Sequence, residues 1–378
     1  MPVQQDEREP VSSAVGATFG VEEEFHVVDA TSLAPLDSPG LAEDLQQGRW
    51  GSTVHPEIST AQIEVTTGVC TSLEQVRREV LAGRAAARAA CAEHGAAPLP
   101  ASTHPELHWE DQRLTGQARY LDLFDRWGPM ALQQTICGCH VHVGVPDLDT
   151  AVAVMDRVRP WLPVLVALTG SSPFHEGADT GHESWRTTWW SRWPISGPPE
   201  LLGDAEGYRR AVEELVGAGV VDDAHGLYWD VRPSARYPTL EFRVGDVCTR
   251  VDDVVLHAAL CGSLTRVLAA HAREGRPVPQ LRPELARAAR WTAARHGLRG
   301  PLLDPLAGVP VAPDTAVGAL LALLRDDLED HGTWPEVEAT TTALLARGTS
   351  AAAQRERVRR TGSLREAVAW ALRTGSEG

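Results

Sequence analysis

The sequence predicts an α+β protein built on one mainly antiparallel sheet with helices packed on one side. Segments in which apolar and polar residues alternate are typical of strands with one buried face. These segments are joined by hairpin-like and helical links, and that mixture indicates the α+β class. The 378 residues are enough for a sizeable core. We expect a flexible arm at 1–16 and a single domain at 17–372.

The N-terminal half alternates strands with one long helix. Ser72 and Gln75 fit a capping box at the start of that helix, and Gly95 fits its end. The predicted elements are strands at 17–30, 60–69 and 96–105 and a helix at 72–95.

The second half holds further strands, and its C-terminal part is predicted to be helical. Pro146 closes the first strand, and Pro160 and Pro163 disturb the middle of the helix that follows. The segment at 171–200 is rich in Trp, Gly and Pro and is expected to be a long loop. The predicted elements are strands at 133–147, 227–234 and 238–249, helices at 148–170 and 251–274, and further helices at 281–374.

Composition and charge argue against several classes of partner. The formal net charge is −16, and a generally acidic surface repels the phosphate backbone of nucleic acid. No uninterrupted apolar run approaches the ~20 residues of a membrane span, so no membrane partner is expected. The six cysteines are scattered and follow no secretory signal, so we expect reduced, buried thiols and a cytoplasmic protein.

Strand periodicity sorts the charged residues onto one face of the predicted sheet. Side chains two residues apart share a face, so Glu22 and Glu24 point one way and Glu23 the other. The same rule gives further pairs on one face: Gln62 with Glu64, Asp230 with Arg232, and Glu241 with Arg243. A merely wet outer face would favour Lys, Thr and Ser, whereas these positions carry mostly Glu, His and Arg.

The stretch "CGCHVH" at 137–142 has the composition of a zinc site but not its geometry. In a strand, Cys137 and Cys139 fall on one face, and His140 and His142 fall on the other. One tetrahedral zinc ion cannot collect ligands from both faces of a regular strand. We therefore expect the thiols in the core and the imidazoles beside the glutamates.

Carboxylates, imidazoles and arginines on one face are suited to phosphate chemistry. Oxygen-rich clusters suit Mg²⁺ or Mn²⁺ better than zinc, and arginines neutralise a phosphoryl group in transfer. The sequence contains neither a GxxxxGK[ST] loop nor a GxGxxG turn after a strand. Metal and arginine on an open sheet face would therefore hold the phosphate.

Six ordered segments resemble the type 2 glutamate–cysteine ligase family, also called the YbdK-type carboxylate–amine ligases. They run from about residue 17 to about residue 310: "FGVEEEFHVVD", "AQIEVTTGVC", "CGCHVHVGVPD", "TGSSPFHEGADTGHESWRTTWWSRWP", "WDVRPSARYPTLEFRVGDVCTRVDD" and "RWTAARHGL". The resemblance implies a glutamine-synthetase-like fold whose curved sheet carries metal ions and ATP. It also implies the reaction, in which ATP phosphorylates a carboxylate and an amine attacks the acyl phosphate. Small carboxylates and amines, amino acids among them, are the implied substrates, and a homodimer is the implied assembly.

The same resemblance implies a role for individual residues. Arg243 would hold the phosphoryl group in transfer, and Arg232 would assist with phosphate or with the substrate carboxylate. The implied metal ligands are Glu22, Glu24, Glu64, His140 and Glu241, the nucleotide contacts are His142, Arg236 and Thr103, and the substrate contacts are Ser172, Trp185 and Arg186.

Several residues have a structural alternative. Glu57 is either a metal ligand or a solvated charge at a strand end, and His142 is either a ligand or a support for one. Glu23 faces away and is expected to be structural. Arg236 lies in a turn where it could equally be solvated. The tryptophans of 185–193 either line a pocket or fix a long loop.

Two departures from the family pattern bear on function. Ser102 stands where relatives have Gly before Thr-His-Pro, so the backbone contact to nucleotide expected there is not carried over. Ala288 and Ala289 replace a Glu-Asn pair before Trp291, which bears on substrate choice. A metal-dependent hydrolase and a non-catalytic binder of nucleotide or amino acid remain as alternatives. The arginines beside the glutamates favour the ligase.

Overall fold

The computed structural model describes residues 14–377, apart from the Arg119 side chain, and its centre is a seven-stranded antiparallel sheet. The strands of the chain are β1 (Phe19–Asp29), β2 (Val54–Pro56), β3 (Gln62–Thr66), β4 (Ala96–Leu99), β5 (Gly138–Gly144), β6 (Phe174–His175), β7 (Ala178–Asp179), β8 (Val231–Pro233), β9 (Thr239–Asp246), β10 (Leu302–Leu303) and β11 (Pro310–Val311). The order across the sheet is β2-β3-β1-β5-β9-β8, with β4 also paired to β1. The antiparallel α+β prediction is confirmed.

Helices pack mainly against the apolar face of this sheet. They are α1 (Pro39–Gln46), α2 (Leu73–Ala92), α3 (Ala118–Trp127), α4 (Pro129–Leu132), α5 (Leu148–Val158), α6 (Leu162–Thr169), α7 (Trp185–Trp190), α8 (Ala205–Gly217), α9 (Val251–Arg273), α10 (Pro283–His296), α11 (Pro313–Asp330), α12 (Trp334–Arg347), α13 (Ser350–Thr361) and α14 (Arg365–Ser376). The α2, α5 and α9 helices contact sheet strands directly. The polar face is therefore left to the predicted site.

The core forms where the inward-facing residues of neighbouring strands meet α9. Val21, Val141 and Phe242 are buried there together with Cys139. Each lies one residue away from a charged or imidazole side chain, which the alternation of a strand requires. All six cysteines are free and buried, so the prediction of core thiols is confirmed.

Among the described residues, α9 is long and apolar enough to cross a membrane by length and composition. However, 78% of its most apolar stretch is buried inside the protein. A helix that is apolar all round also occurs at the centre of a large core, and its packing against the sheet and other helices gives α9 that place.

The predicted helix at 148–170 is two helices, α5 and α6. The break falls at Arg159–Trp161, because Pro160 has no backbone N–H to continue the helical ladder. Pro163 lies in the first turn of α6, where a missing N–H costs nothing.

The prediction of a long loop at 171–200 is wrong at its centre. Ser184 caps α7 there, and its side chain accepts a hydrogen bond from Thr187 N at 3.1 Å. The Trp-rich composition concealed this short helix, which carries Arg186 towards the sheet.

The long predicted helix and the N-terminal arm have different outcomes. Ser72 caps α2 as predicted, accepting from Gln75 N at 3.2 Å, and Gly95 follows the helix at φ +66°. Most of the predicted arm lies outside the described residues, but Gly16 N donates to Gly144 O at 2.8 Å. The domain at 17–372 stays a prediction.

Candidate active site

The register of the sheet brings the predicted charged residues into one row across five strands, β3, β1, β5, β9 and β8. The opposed pairs are Glu64 with Glu24, Glu22 with His140, His142 with Glu241, and Glu241 with Arg232. Opposed residues of an antiparallel pair share a face, and their Cβ atoms lie about 5 Å apart. Residues distant in sequence therefore form one continuous polar surface, which we call the polar row.

Glu22 links the two histidines of this row. Its carboxylate oxygens lie 3.2 Å from His140 Nδ1 and 3.1 Å from His142 Nε2. Burial acts to raise the pKa of Glu22, but the hydrogen bonds to both histidines outweigh it and hold that pKa well below its usual range. Glu22 is therefore ionised and can bind a cation.

The pKa values of His140 and His142 are shifted in opposite directions. Burial acts to lower the pKa of His142, but Glu22 and Glu241 overcome it and raise that pKa. For His140, burial and the charge of Arg243 prevail over the carboxylates, so its pKa is lowered. A neutral His140 offers a nitrogen lone pair, the form in which imidazole binds a metal.

Two arginines clamp Glu241. Arg232 Nε donates to Glu241 Oε2 at 2.9 Å, and Arg243 Nη1 donates to Oε1 of the same carboxylate. Burial acts to raise the pKa of Glu241, but Arg243 and Arg232 hold it well below its usual range. Burial also acts to lower the pKa of Arg243, and Glu241 raises it in spite of that. The end of the row thus presents two fixed positive charges beside an ionised carboxylate.

Three side chains of the row can meet at one cation. One ligand atom each from Glu22, His142 and Glu241 lies within 4.8 Å of the others. Two ionised carboxylates and one imidazole suit Mg²⁺ or Mn²⁺. The imidazole in this group is His142, for which the resemblance implied a nucleotide contact, and not His140.

Glu24, Glu64 and His140 form the other end of the row. Glu24 accepts a hydrogen bond from Gly138 N at 2.5 Å, and its Oε1 lies 3.8 Å from His140 Nε2. That nitrogen is buried and has no hydrogen-bond partner among residues 14–377. The structure gathers these donors, and their role as metal ligands stays a prediction. Near them, Glu57 accepts from the Tyr120 hydroxyl at 2.8 Å.

Arg186 reaches the row from α7. Its buried guanidinium donates to Arg243 O at 3.1 Å. A Cβ at position 138 would collide with Arg186 Nη2 and would lie 2.9 Å from His140 Nε2, so glycine at Gly138 allows this close approach. Burial lowers the pKa of Arg186, while Asp246 opposes that change.

Ser172 lies beneath α7 and is fully buried. Its hydroxyl donates to Asp246 Oδ2 at 2.6 Å and accepts from Arg186 N at 3.0 Å. Ser184 Oγ also donates to Asp246, at 2.6 Å to Oδ1. These bonds fix the start of α7 to the end of β9. The substrate contact expected of Ser172 stays a prediction.

The remaining predicted contacts lie in three different places. Thr103 is buried and donates to Phe174 O at 2.7 Å. Arg236 is exposed in the turn between β8 and β9. Trp185 is half-buried, and its ring lies 5.1 Å from that of His182 and 5.8 Å from that of Trp189. The structure does not bring these three residues to the polar row, and their roles stay predictions.

Sequence reasoning missed two supports of the row. Strict alternation would place Asp246 in the core, on the same face as Phe242. The register between β5 and β9 shifts beside Cys139, and this bulge turns Asp246 towards Arg186 instead. Asp230 forms an ion pair at 2.7 Å with Arg290 of α10. Neither the bulge nor this contact over 60 residues has a local sequence signal.

Glu23 points to the opposite face, as strand periodicity predicted. Arg84 of α2 donates to both its carboxylate oxygens, from Nε at 3.0 Å and from Nη2 at 2.6 Å. The two side chains are 2% and 3% exposed. This ion pair joins α2 to the sheet from behind the polar row.

The fold and this row can be set beside known proteins. The sequence model of glutamate–cysteine ligase family 2 (GCS2) matches residues 18–370. The chain belongs to this family. The resemblance stated on the sequence motifs is thereby confirmed.

Relatives within glutamate–cysteine ligase family 2 cover nearly the whole chain. A protein of Salinispora tropica named "Putative glutamate--cysteine ligase 2" is 40% identical over 345 residues, which is 91% of each chain. One of Mycolicibacterium vanbaalenii, named "Putative glutamate--cysteine ligase 2-2", is 41% identical over 347 residues, which is 91% of this chain and 93% of that one.

Solved structures support the same fold. The glutamate–cysteine ligase of Francisella tularensis, solved in complex with AMP, has a TM-score of 0.73 at 13% identity and covers 97% of this chain and 90% of its own. The bifunctional glutathione synthetase of Pasteurella multocida has a TM-score of 0.70 at 16% identity, covering 95% of this chain and 52% of its own. At these identities the likeness shows the fold alone.

The structure shows the surroundings of the two departures from the pattern expected of glutamate–cysteine ligase family 2. Ser102 is buried, and its hydroxyl accepts from Val247 N at 2.7 Å, so it holds an interior loop. Ala289 is buried in α10, while Ala288 is exposed. A small apolar side chain suits the buried position of Ala289, and nothing in the structure explains the exposed Ala288.

Proposed function

We propose that this member of glutamate–cysteine ligase family 2 is an ATP- and Mg²⁺- or Mn²⁺-dependent carboxylate–amine ligase that works through an acyl phosphate. The observation that carries the proposal is the polar row, in which Glu22, His142 and Glu241 adjoin Arg232 and Arg243. A site of this kind can hold a cation and a phosphoryl group side by side.

The donor set fits a divalent cation. Glu22, His142 and Glu241 would hold one ion, and Glu24, Glu64 and His140 offer donors for another. When bound, the metal neutralises phosphate oxygens of ATP. The depressed pKa values of Glu22 and Glu241 keep both carboxylates ready for this at neutral pH.

Arg243 is positioned for the phosphoryl group that leaves ATP. Glu241 fixes its guanidinium, and the Trp190 ring lies 5.9 Å from it. The substrate carboxylate oxygen bonds to the γ-phosphorus as the bond to ADP breaks. A fixed positive charge stabilises the negative charge that is spread over the transferring group, because it needs no reorganisation during the reaction. Arg232 extends this positive surface.

The second step joins the amine to the activated carboxyl carbon. The amine nitrogen attacks, phosphate leaves, and the nitrogen loses a proton. Water competes for the same carbon, so the site has to exclude it. Trp190 of α7, whose ring lies beside Arg243, suits that purpose. The names of the relatives propose glutamate and cysteine as the first substrates to examine, and the AMP complex of the Francisella protein supports use of a nucleotide.

The test is ADP release with Mg²⁺ and ATP over a matrix of carboxylates and amines, starting with glutamate and cysteine. Mass spectrometry should find one new amide per ADP. Glu241→Gln should lower the rate at least about 100-fold, since it removes a charge from the centre of the row. Glu213→Gln on α8 is the matched control, because Glu213 is an exposed glutamate.

Two outcomes would contradict the ligase. ADP release without an amide would indicate hydrolysis or a kinase activity. No ATP consumption with any pair, together with metal-dependent hydrolysis of an amide, would favour the hydrolase alternative. Chelation of divalent metal should abolish the activity of a ligase and of a metal-dependent hydrolase alike, so product analysis is the deciding measurement.

A further inference from the structure

A cavity of about 290 Å³ lies between the loop before α7, the end of α10 and α13. Its lining residues are Asp179, Gly181, Arg295, His296, Arg299 and Arg355. A cluster of three arginines stands out in a chain whose formal net charge is −16. The volume suits a small ligand better than a single water molecule, which takes about 30 Å³ in the liquid.

The acidic residues near the cavity are already engaged. Arg355 pairs with Asp179 at 2.8 Å and with Glu183 at 2.6 Å. Arg299 pairs with Glu183 at 2.6 Å. Glu183 also accepts from the Thr349 hydroxyl. Two carboxylates therefore face three guanidinium groups, and the cavity keeps an excess of positive charge.

The excess charge belongs to Arg295. Within residues 14–377 its half-buried side chain makes no hydrogen bond and no ion pair. It lies across Gly181, where a Cβ would collide with its Nη1. Gly181 also has a φ of +71°, which side chains rarely allow. This glycine is thus the residue that lets the guanidinium lie along the cavity wall.

Aromatic rings border the same space. The Trp291 ring is edge-on to His296 at 6.3 Å and to His182 at 6.2 Å. His296 lines the cavity beside the arginines. A guanidinium group makes charge-assisted hydrogen bonds to an anion, which are roughly twice as strong as bonds between neutral groups. Arginine presents donors in a planar fork that matches two oxygens of a carboxylate or phosphate.

We propose that this cavity is a binding site for a small oxyanion, either a carboxylate or a phosphate group, with Arg295 as its main partner. Arg299 and Arg355 complete the positive wall, and His296 adds a polar ring at the rim. The proposal does not depend on the ligase chemistry at the polar row, which lies on other side chains.

The experiment is calorimetric titration of the full chain with inorganic phosphate and, separately, with acetate, at ionic strength held constant with sodium chloride. Arg295→Gln should weaken binding at least about tenfold, because it removes the unpaired charge. Gly181→Ala should weaken it as well, since the new Cβ displaces the guanidinium. Arg287→Gln is the matched control: it removes an arginine from the same helix at an exposed position and should leave binding unchanged.

Variants of the polar row separate this site from the proposed active site. Glu241→Gln and Arg243→Gln should keep the binding that Arg295→Gln loses. If the polar-row variants lose it and Arg295→Gln keeps it, phosphate binds at the row and the cavity proposal is wrong. Binding of phosphate alone assigns the site to phosphates, and binding of acetate alone assigns it to carboxylates. Binding of neither overturns the proposal.

A second measurement covers the case in which Arg295→Gln folds poorly. Arg295→Lys keeps the charge without the fork and should retain part of the affinity. Hydrogen exchange of the segments at 178–184 and 350–361 should slow when the binding anion is added to the unmodified chain. Exchange that does not change there, with saturable binding, would place the anion elsewhere and overturn the assignment.

Discussion

Glu22 and Glu23 are neighbours in sequence but lie in different physical environments. Glu22 is on the polar row, where its carboxylate contacts the rings of His140 and His142. Glu23 is on the core face, closed in an ion pair with Arg84 and 2% exposed. The side chains are chemically identical, and only the alternation of the strand separates them.

The difference shows how burial decides what a carboxylate can do. Both carboxylate oxygens of Glu23 accept hydrogen bonds from Arg84, and this pair stays closed because an unpaired charge there would be costly. Glu22 has partners that can rearrange, since histidines exchange protons and cations can replace them. We therefore expect the core-face carboxylate to serve stability and the polar-row carboxylate to serve chemistry.

The sharpest test replaces Glu22 with Gln. The amide keeps the shape but loses the charge, so amide formation should fall at least about 100-fold while the folded structure is kept. Steady-state ADP release and the midpoint of thermal unfolding are the two measurements. Glu213→Gln, exposed on α8, is the control for charge alone. Full activity in the Glu22→Gln variant would remove Glu22 from the site.

On the core face of the sheet, a substitution should lower stability and leave activity nearly unchanged. Arg84→Met leaves Glu23 buried and unpaired, which should lower the free energy of unfolding by about 3–5 kcal/mol. Urea unfolding measures this, and activity per folded molecule should change little. The double variant Glu23→Leu with Arg84→Met should recover much of the loss. A single variant as stable as the parent would break the contrast between the two faces.

A third prediction concerns a buried histidine behind the sheet and its effect on the pH dependence of stability. His257 of α9 lies behind the sheet, 2.9 Å from where a Cβ on Gly245 would be. Burial lowers its pKa to about 4. The unfolded chain takes up a proton near pH 6.5, and the folded protein does so only near pH 4. The stability due to neutral His257 is complete above about pH 6.5 and is lost as the pH falls towards 4.

His257→Leu should therefore unfold less steeply with acid. The expected difference in unfolding free energy between pH 7 and pH 4 is on the order of 2 kcal/mol. His104, whose pKa burial also lowers to about 4, contributes in the same direction in both proteins, so the comparison between variant and parent isolates His257. Equal slopes for the two proteins would show that His257 is not held neutral by the core.

The polar row could be predicted because it depends on local alternation. The faces of Glu22, Glu24 and Glu241 follow from period two alone, and the antiparallel links place the strands near one another. The supports of the row could not be predicted in this way. Asp246 needs a bulge, which depends on the register with a neighbouring strand, and Arg290 needs α10 to pack on α7.

The cavity beside α10 illustrates the same limit. Arg295 belongs to a recognisable motif, but its free guanidinium depends on Gly181 and on Arg355, which are far away in sequence. Likewise, α7 was hidden because its six residues are tryptophan-rich and follow a run of turn formers. Short elements and contacts between distant segments are set by tertiary packing, which local patterns do not encode.

The smallest expected effect concerns the rim of the polar face. Arg236 is exposed in the turn between β8 and β9, beside Tyr237, whose ring lies edge-on to His142 at 6.3 Å. If it contacts the nucleotide, it acts through water, where one ion pair contributes about 0.5–1 kcal/mol. Arg236→Gln should then raise the KM for ATP about two- to fivefold and leave kcat unchanged, because binding is weakened equally before and during the reaction.

The effect of Arg236→Gln on the KM for ATP should shrink at high salt, because salt screens exposed charges. Arg287→Gln, at an exposed position on α10, should show no such change. A fall in kcat instead would show that Arg236 contacts the reacting groups, and the exposed turn would then have to be counted as part of the active site together with the polar row.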